Sequence, residues 1–248
     1  MSTHLHPSGA IGLVPLRVSA READAVVRVP AKPRRHIVLK KILLIAFALL
    51  FIRTFLGEAA LVPTSSMEGT ILVGDHILMN KLLYGPQIPF TSIRMPFFKT
   101  IQRREIIAFH YPRDPNLVFL KRVAAVGGDR VEIRDDVLYV NDVPVREDYA
   151  RYDKRPWRRH PENMRVRSVP QGHLFVLGDN RDNSDDSRYW GTVPAKNVIG
   201  EPMVVYWSYD APSSSWLEKN PGRMLEFYGS IVPNLFARTR WSRTGFLL

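Results

Sequence analysis

The chain has 248 residues, 45% hydrophobic and 24% charged, which is the composition of a globular domain with a real core. It contains no cysteine, which excludes disulfides, thiolate catalysis and cysteine-ligated zinc. The formal charge of +11 suits nucleic acid or anionic lipid, and charge alone does not choose between them.

The position of the charge is more informative. Residues 1–41 hold eight Lys and Arg against Glu22 and Asp24, a net +6. With several prolines and few aromatics, residues 1–36 read as a disordered basic arm. "IVLKKILLIAFALLFIRTFL" follows (Ile37–Leu56). Twenty helical residues span about 30 Å, the thickness of a bilayer core. Residues 37–57 are therefore expected to form a transmembrane helix, with Lys40, Lys41 and Arg53 snorkelling to the headgroups. The basic arm puts the N-terminus in the cytoplasm. Two alternatives stand beside this reading. One is a cleaved secretory signal ending near Gly57, Ala59 and Ala60, for which the basic region is long. The other is a buried core helix, which the flanking cations fit poorly. Both membrane readings place residues 58–248 outside the cytoplasm.

From Leu61 on, short apolar runs broken by Gly, Pro, Asn and Asp dominate. Strands are expected over 76–84, 105–111, 117–126, 130–141, 173–179 and 200–210, with a hairpin turning at Asp135-Asp136. No long helix is evident between these runs, so the expected fold is mainly β, a domain built from antiparallel sheets. Residues 85–100 are proline-rich and apolar without periodicity. They read as an extended loop, lying either on a membrane or on the β-core. Residues 142–172 form an irregular polar excursion. The tail from Ser213 to Leu248 mixes Trp, Phe and Arg, a composition suited to lipid headgroups, and no element is assigned to it.

Three stretches hold candidate chemistry. "LVPTSSMEGT" (61–70) places adjacent serines after the apolar segment, and a serine needs a base before it attacks. None of the seven histidines lies in an evident constellation with an acid. In "LVFLKRVAAV" (117–126), strand alternation puts Lys121 on a face with Phe119, Val123 and Ala125. A buried lysine loses its proton more readily and can act as a general base. The alternative is a lysine at the sheet rim with its head in water. "GDNRDNSDDSRYWG" (178–191) is dense in short polar groups. It fails the calcium-loop template, so no metal is expected. Its acids and arginines can pair internally in a solvated turn, or can orient a catalytic side chain.

Taken together these stretches resemble bacterial type I signal peptidases. The resemblance rests on an apolar anchor, "PTSSM" (63–67), "GDHILMNKLLYG" (74–85), "KRVAAVGGD" (121–129) and "GDNRDNSDDSRYWG", in family order. It implies removal of signal peptides from secretory pre-proteins after small-x-small motifs, without a cofactor. On the matching positions, Ser66 is the nucleophile and Lys121 the general base. The Thr64 hydroxyl and Ser66 N–H form the oxyanion hole. Ser184 orients the lysine, and Asp186 and Arg188 form a supporting ion pair. Val62, Pro63, Met67, Phe119 and Leu120 line the substrate pockets, and Val118 adds to an extended substrate-binding edge. The chain departs from the family pattern at Gly69, where proline is usual. Ala125 and Gly127 replace a usual Gly and Pro, and "RREI" (103–106) replaces Arg-Gly-Asp-Ile. The lost prolines are expected to loosen loops near the nucleophile. A self-cleaving repressor would need a DNA-binding domain. A non-catalytic module would have no use for Ser66, Lys121 and Ser184 together. The basic excess sits beside the apolar segment, where the positive-inside bias accounts for it, so membrane lipid rather than nucleic acid is the expected partner.

Overall fold

The computed structural model describes residues 35–51, 57–85, 91, 95, 96, 98–152 and 163–248. The basic arm before Arg35 lies outside the described residues, as do 52–56, most of the 85–100 loop and residues 153–162 with His160. Helix α1 runs over Arg35–Phe51. Leu43, Leu44, Ile45, Phe47 and Leu49 are each more than half exposed, so α1 beyond Lys41 is apolar around its circumference. Among the described residues no helix is long and apolar enough to cross a membrane. Gly57, expected to end the apolar helix, instead begins a strand, β1 (Gly57–Leu61).

The remaining strands are β2 (Asp75–Asn80), β3 (Ile106–Tyr111), β4 (Asp114–Val126), β5 (Arg130–Arg134), β6 (Val137–Val140), β7 (Val143–Pro144), β8 (Met164–Ser168), β9 (His173–Leu177), β10 (Val193–Pro194), β11 (Val198–Ser208) and β12 (Phe246–Leu247). An eight-stranded sheet has the order β1-β2-β11-β3-β4-β9-β10, with β12 on β11, and a four-stranded sheet has the order β7-β6-β5-β8. Every strand pair in both sheets is antiparallel. The fold is therefore mainly antiparallel β, as its alternating runs predict.

Each expected strand has a counterpart, and the differences are local. The run 76–84 leaves the sheet after Asn80, whose Oδ1 accepts from the Leu82 N–H at 3.0 Å and turns the chain into a 3₁₀ turn over Leu82–Tyr84. Asp135 and Asp136 both have positive φ, as a two-residue hairpin requires. The expected excursion over 142–172 is partly sheet, because β7 pairs with β6 and β8 with β5. The largest difference is in the tail. After short helices α2 (Ser187–Trp190) and α3 (Ser213–Trp216), residues Pro221–Arg238 form an 18-residue helix, α4. Asn220 Oδ1 caps it by accepting from the N–H groups of Gly222 and Arg223, and Pro221 takes the first position, where no N–H is needed.

The turn between β1 and β2 carries "PTSSM". It is closed by Val62 N–H to Asp75 O and Gly74 N–H to Val62 O, both 2.9 Å. Gly74 has φ +87°, and a Cβ there would stand 2.0 Å from Tyr209 O. Gly74→Ala is expected to cost at least about 2 kcal/mol, lowering Tm by ~4–8 °C, as read by thermal unfolding.

Candidate active site

Three elements converge on one cleft of about 930 Å³: the turn after β1, the middle of β4 and the loop after β9. β4 pairs with β3 from Val118 to Arg122 on one side, whereas its pairing with β9 spans only Arg122–Val126. β1 is the edge strand of its sheet. The cleft is lined on one side by residues 60–67 and on the other by Val118, Phe119, Leu120 and Lys121. Extended backbone on both sides suits an extended peptide, which can pair its own N–H and C=O groups there.

Lys121 is 4% exposed, so the alternation that put it on an apolar face is followed by burial and not by a rim position. Its Nζ lies 2.7 Å from Ser66 Oγ and donates to Leu120 O at 3.1 Å. Ser66 is held from behind, because its carbonyl accepts from the Asn180 N–H at 3.1 Å. Ser65 is tied to the same loop. Its carbonyl accepts from Asn180 Nδ2 and its Oγ from Asn183 Nδ2, at 3.1 and 2.7 Å. Among the described residues the Ser66 N–H and the Thr64 hydroxyl have no hydrogen-bond partner, and Thr64 is exposed in the cleft. Both donors are available to an incoming oxygen. Val62 and Met67 are buried against Ile77 and Met79, while Leu120 packs on the same cluster. Pro63 lines the cleft with them.

Ser184 is buried in the cleft, yet its Oγ has no hydrogen-bond partner among the described residues, Lys121 included. Gly178 explains how it fits so closely. A Cβ at 178 would stand 2.2 Å from Ser184 Oγ and 2.5 Å from Ser66 O. The Asp186–Arg188 pair is present and bidentate, at 2.7 and 2.8 Å, and Asp186 also accepts the Gly178 N–H.

The polar loop is not closed by its own charges alone. Asp179 accepts two bonds from Arg122, at 2.8 and 2.6 Å, and one from the Thr70 hydroxyl at 2.6 Å. Arg181 is buried against Glu147 in a third bidentate pair, both bonds 2.6 Å. Arg122, Asp179, Asn180, Asn183 and Glu147 are thus site residues that sequence reading missed. Nothing in strand periodicity marks an arginine as the partner of an aspartate 57 positions away. Three described histidines lie elsewhere: His76 against Trp207, His110 on Pro115 O and His173 on Thr192. Among the described residues no three His, Asp or Glu converge to hold a metal ion.

Comparison with known proteins gives one consistent result. The family model described as signal peptidase, peptidase S26, matches residues 35–207. Signal peptidase I of Aquifex aeolicus is 32% identical over 243 residues, covering 76% of this chain and 90% of its own. Signal peptidase I of Pseudomonas aeruginosa is 33% identical, covering 69% and 72%. A solved signal peptidase I from Enterococcus faecalis is 40% identical, covering 42% of this chain and 97% of its own, with a TM-score of 0.36.

Burial, opposed by nearby carboxylates, decides the chemistry of Lys121. Burial pushes its ammonium down to about 8, against the fields of Asp186, Asp185 and Asp179, with Arg188 adding to the lowering. Asp186 and Asp179 are each committed to an arginine, so neither serves the lysine as a direct partner. Arg188→Gln uncovers Asp186. The pH midpoint at which Ser66 reacts with a serine-acylating reagent should then move to higher pH, while unfolding free energy falls by ~3–5 kcal/mol. An unmoved midpoint in the folded variant would show that Arg188 does not shield the lysine.

Proposed function

The chain belongs to the signal peptidase family, peptidase S26, and removes signal peptides as a serine endopeptidase; on that premise we propose that Ser66 is its nucleophile and Lys121 its general base. The observation that carries the assignment is the 2.7 Å approach of a dry lysine to a serine hydroxyl in a peptide-sized cleft. Neutral Lys121 takes the Ser66 proton as Oγ attacks the scissile carbonyl. Negative charge develops on that oxygen, within reach of the Ser66 N–H and the Thr64 hydroxyl. Lys121 then gives its proton to the departing amine, freeing the mature protein. A water, deprotonated by the same lysine, opens the acyl-enzyme and releases the signal peptide. We assign to Ser184 the orientation of the lysine during these transfers, supported by its burial in the same cleft as Lys121 with its Oγ uncommitted among the described residues. Asp186 and Arg188 support the loop that carries it. The apolar walls at Val62, Met67 and Leu120 fit small side chains at alternate substrate positions, with Pro63, Val118 and Phe119 completing the channel.

We place the enzyme in the bacterial inner membrane, anchored by the apolar segment that contains α1, with the basic arm cytoplasmic and residues 58–248 outside. The support is α1, apolar on all sides beyond Lys41, and the positive charge that precedes it. Its substrates are then secretory pre-proteins delivered at the membrane.

Processing of a precursor in detergent tests the mechanism. Ser66→Ala and Lys121→Ala should each lose at least about 10³-fold in kcat/KM. Full cleavage by either variant would sink the dyad. For the wild type, kcat/KM should rise with pH and level off above about 8, following the neutral form of Lys121. Thr64→Val, which keeps the shape but removes the hydroxyl, should lower kcat ~10²–10³-fold with little change in KM. A loss confined to KM would instead make Thr64 a substrate contact.

A further inference from the structure

Helix α4 lies beyond the 35–207 stretch that the family model matches, and neither the core nor the catalytic chemistry accounts for all of its apolar surface. One side is used for packing. Phe227 and Ile231 rest against Tyr209, Ala211 and Trp216, with the Phe227 ring edge-on to Trp216 at 4.8 Å. A second apolar strip runs alongside. Leu225, Tyr228, Val232 and Phe236 follow at spacings of three, four and four, which align them on one helix face. They are 76%, 48%, 77% and 78% exposed. Trp241, 55% exposed, stacks on Phe236 with ring centroids 5.9 Å apart and lengthens the strip. The charged and amide residues Arg223, Glu226 and Asn234 lie on other sides of the helix.

The composition of this surface selects its occupant. Leu, Val and Phe form the strip, with Tyr228 and Trp241 adding rings that have a polar tip, the amphipathic type enriched where hydrocarbon meets headgroups. Of the five Lys and Arg in 213–248, Arg223, Arg240 and Arg243 pair with Glu218, Asp210 and Asp75, which leaves Lys219 and Arg238 against Glu226, a small excess complementary to anionic lipid. The same chain carries α1, apolar on every side beyond Lys41. We infer that α4 lies flat on an anionic bilayer surface, with Leu225, Val232 and Phe236 entering the acyl boundary and Tyr228 and Trp241 at headgroup level. This rests on the membrane reading above and adds a second contact, one that fixes the orientation of the catalytic domain. An anchor helix alone lets the domain swivel. A surface helix holds it in one attitude towards a substrate that also emerges from the membrane.

The absence of cysteine makes the test direct, because every introduced cysteine is unique. Val232→Cys, Phe236→Cys, Ala237→Cys and Leu44→Cys are each made in the full chain and labelled with an environment-sensitive fluorophore. They are reconstituted in phosphatidylcholine–phosphatidylglycerol vesicles with or without a lipid-borne shallow quencher. Blue-shifted emission and quenching are expected at 232 and 236, with neither at 237. Quenching at 232 should weaken in pure phosphatidylcholine. Quenching at 44 but not at 232 and 236 would overturn the α4 inference and leave the anchor reading standing. The reverse pattern would support α4 and overturn the anchor. A blue shift at 232 without lipid quenching, together with energy transfer between labels on different copies, would make the strip a protein–protein contact and also overturn the inference.

Discussion

The site depends on an ammonium kept from water beside a hydroxyl, with no carboxylate in contact. Lys121 is 4% exposed, and burial is the largest influence on it, pulling its pKa to about 8. At the ordinary value of ~10.4 roughly one lysine in two thousand is neutral at pH 7, whereas at about 8 it is roughly one in ten. That gain would vanish if a buried acid paired with the lysine directly, since an opposite charge at contact favours the charged form. Two of the three acids that act on it are already engaged, Asp179 by Arg122 and Asp186 by Arg188, while Asp185 acts through its field. The density of charge in the 178–188 loop is therefore a means of keeping the lysine unpaired. The arrangement costs stability at neutral pH. Below about 8 both folded and unfolded chains hold the proton, so the full cost of burying the charge is present. Between about 8 and ~10.4 the folded chain has released a proton that the unfolded chain keeps, so the contribution of this residue to stability rises with pH there.

A tuned lysine is useful only if the serine stays within reach, and the remaining contacts serve that end. Lys121 is carried on a long strand paired on both flanks just beyond it, which fixes its backbone. Ser66 sits on a turn, an inherently softer element, and the turn is tied to the loop after β9 by Asn180, Asn183 and the Thr70–Asp179 hydrogen bond. That loop is tied in turn to the 147–152 segment through Arg181–Glu147 and through Arg151 N–H to Asp179 O at 2.7 Å. Gly178 lets the layers approach, since any side chain there would occupy the space of Ser184 and of the Ser66 carbonyl.

The β-architecture was legible because its strands alternate and their turns use Asp, Asn and Gly. The 135–136 hairpin could be placed to the residue for that reason. Helix α4 was not legible. It contains Gly222, Gly229 and Pro233, residues that weaken a helix in isolation, and its stability comes from the cap at Asn220 and from Phe227 packing on Trp216. Lys121 was conspicuous as a cation in an apolar run. The arginines that shield it were not, because a bidentate pair across the sheet leaves no periodic trace. Of the internal pairings open to the 178–191 loop, the one between Asp186 and Arg188 forms. Asp179 and Arg181 find partners in β4 and in the polar excursion, chosen by tertiary proximity.

Gly69, Gly127 and Arg104, where the chain departs from the usual family residues, are each held by specific contacts. Gly69 has φ +117°, which a proline ring, locked near −65°, cannot adopt. The turn therefore follows a path closed to proline, and it is held by hydrogen bonds: Thr70 to Asp179, and Arg243 to Thr70 O at 3.0 Å. Gly127 packs so tightly on residues 170–172 that a Cβ would meet three of their backbone atoms at 3.0 Å, so a proline there would have to push that turn away. Arg104 makes the same case in reverse. It occupies a position usually filled by glycine and keeps the left-handed backbone, φ 75°, that glycine adopts without strain. The strain is offset by its N–H donating to Val123 O and its carbonyl accepting from Arg122, both at 2.7 Å. Arg122 is the residue that also holds Asp179. The substituted loop thus closes onto the pair that keeps Lys121 without a counterion, and the departures change how the frame is braced while leaving the approach of lysine to serine intact.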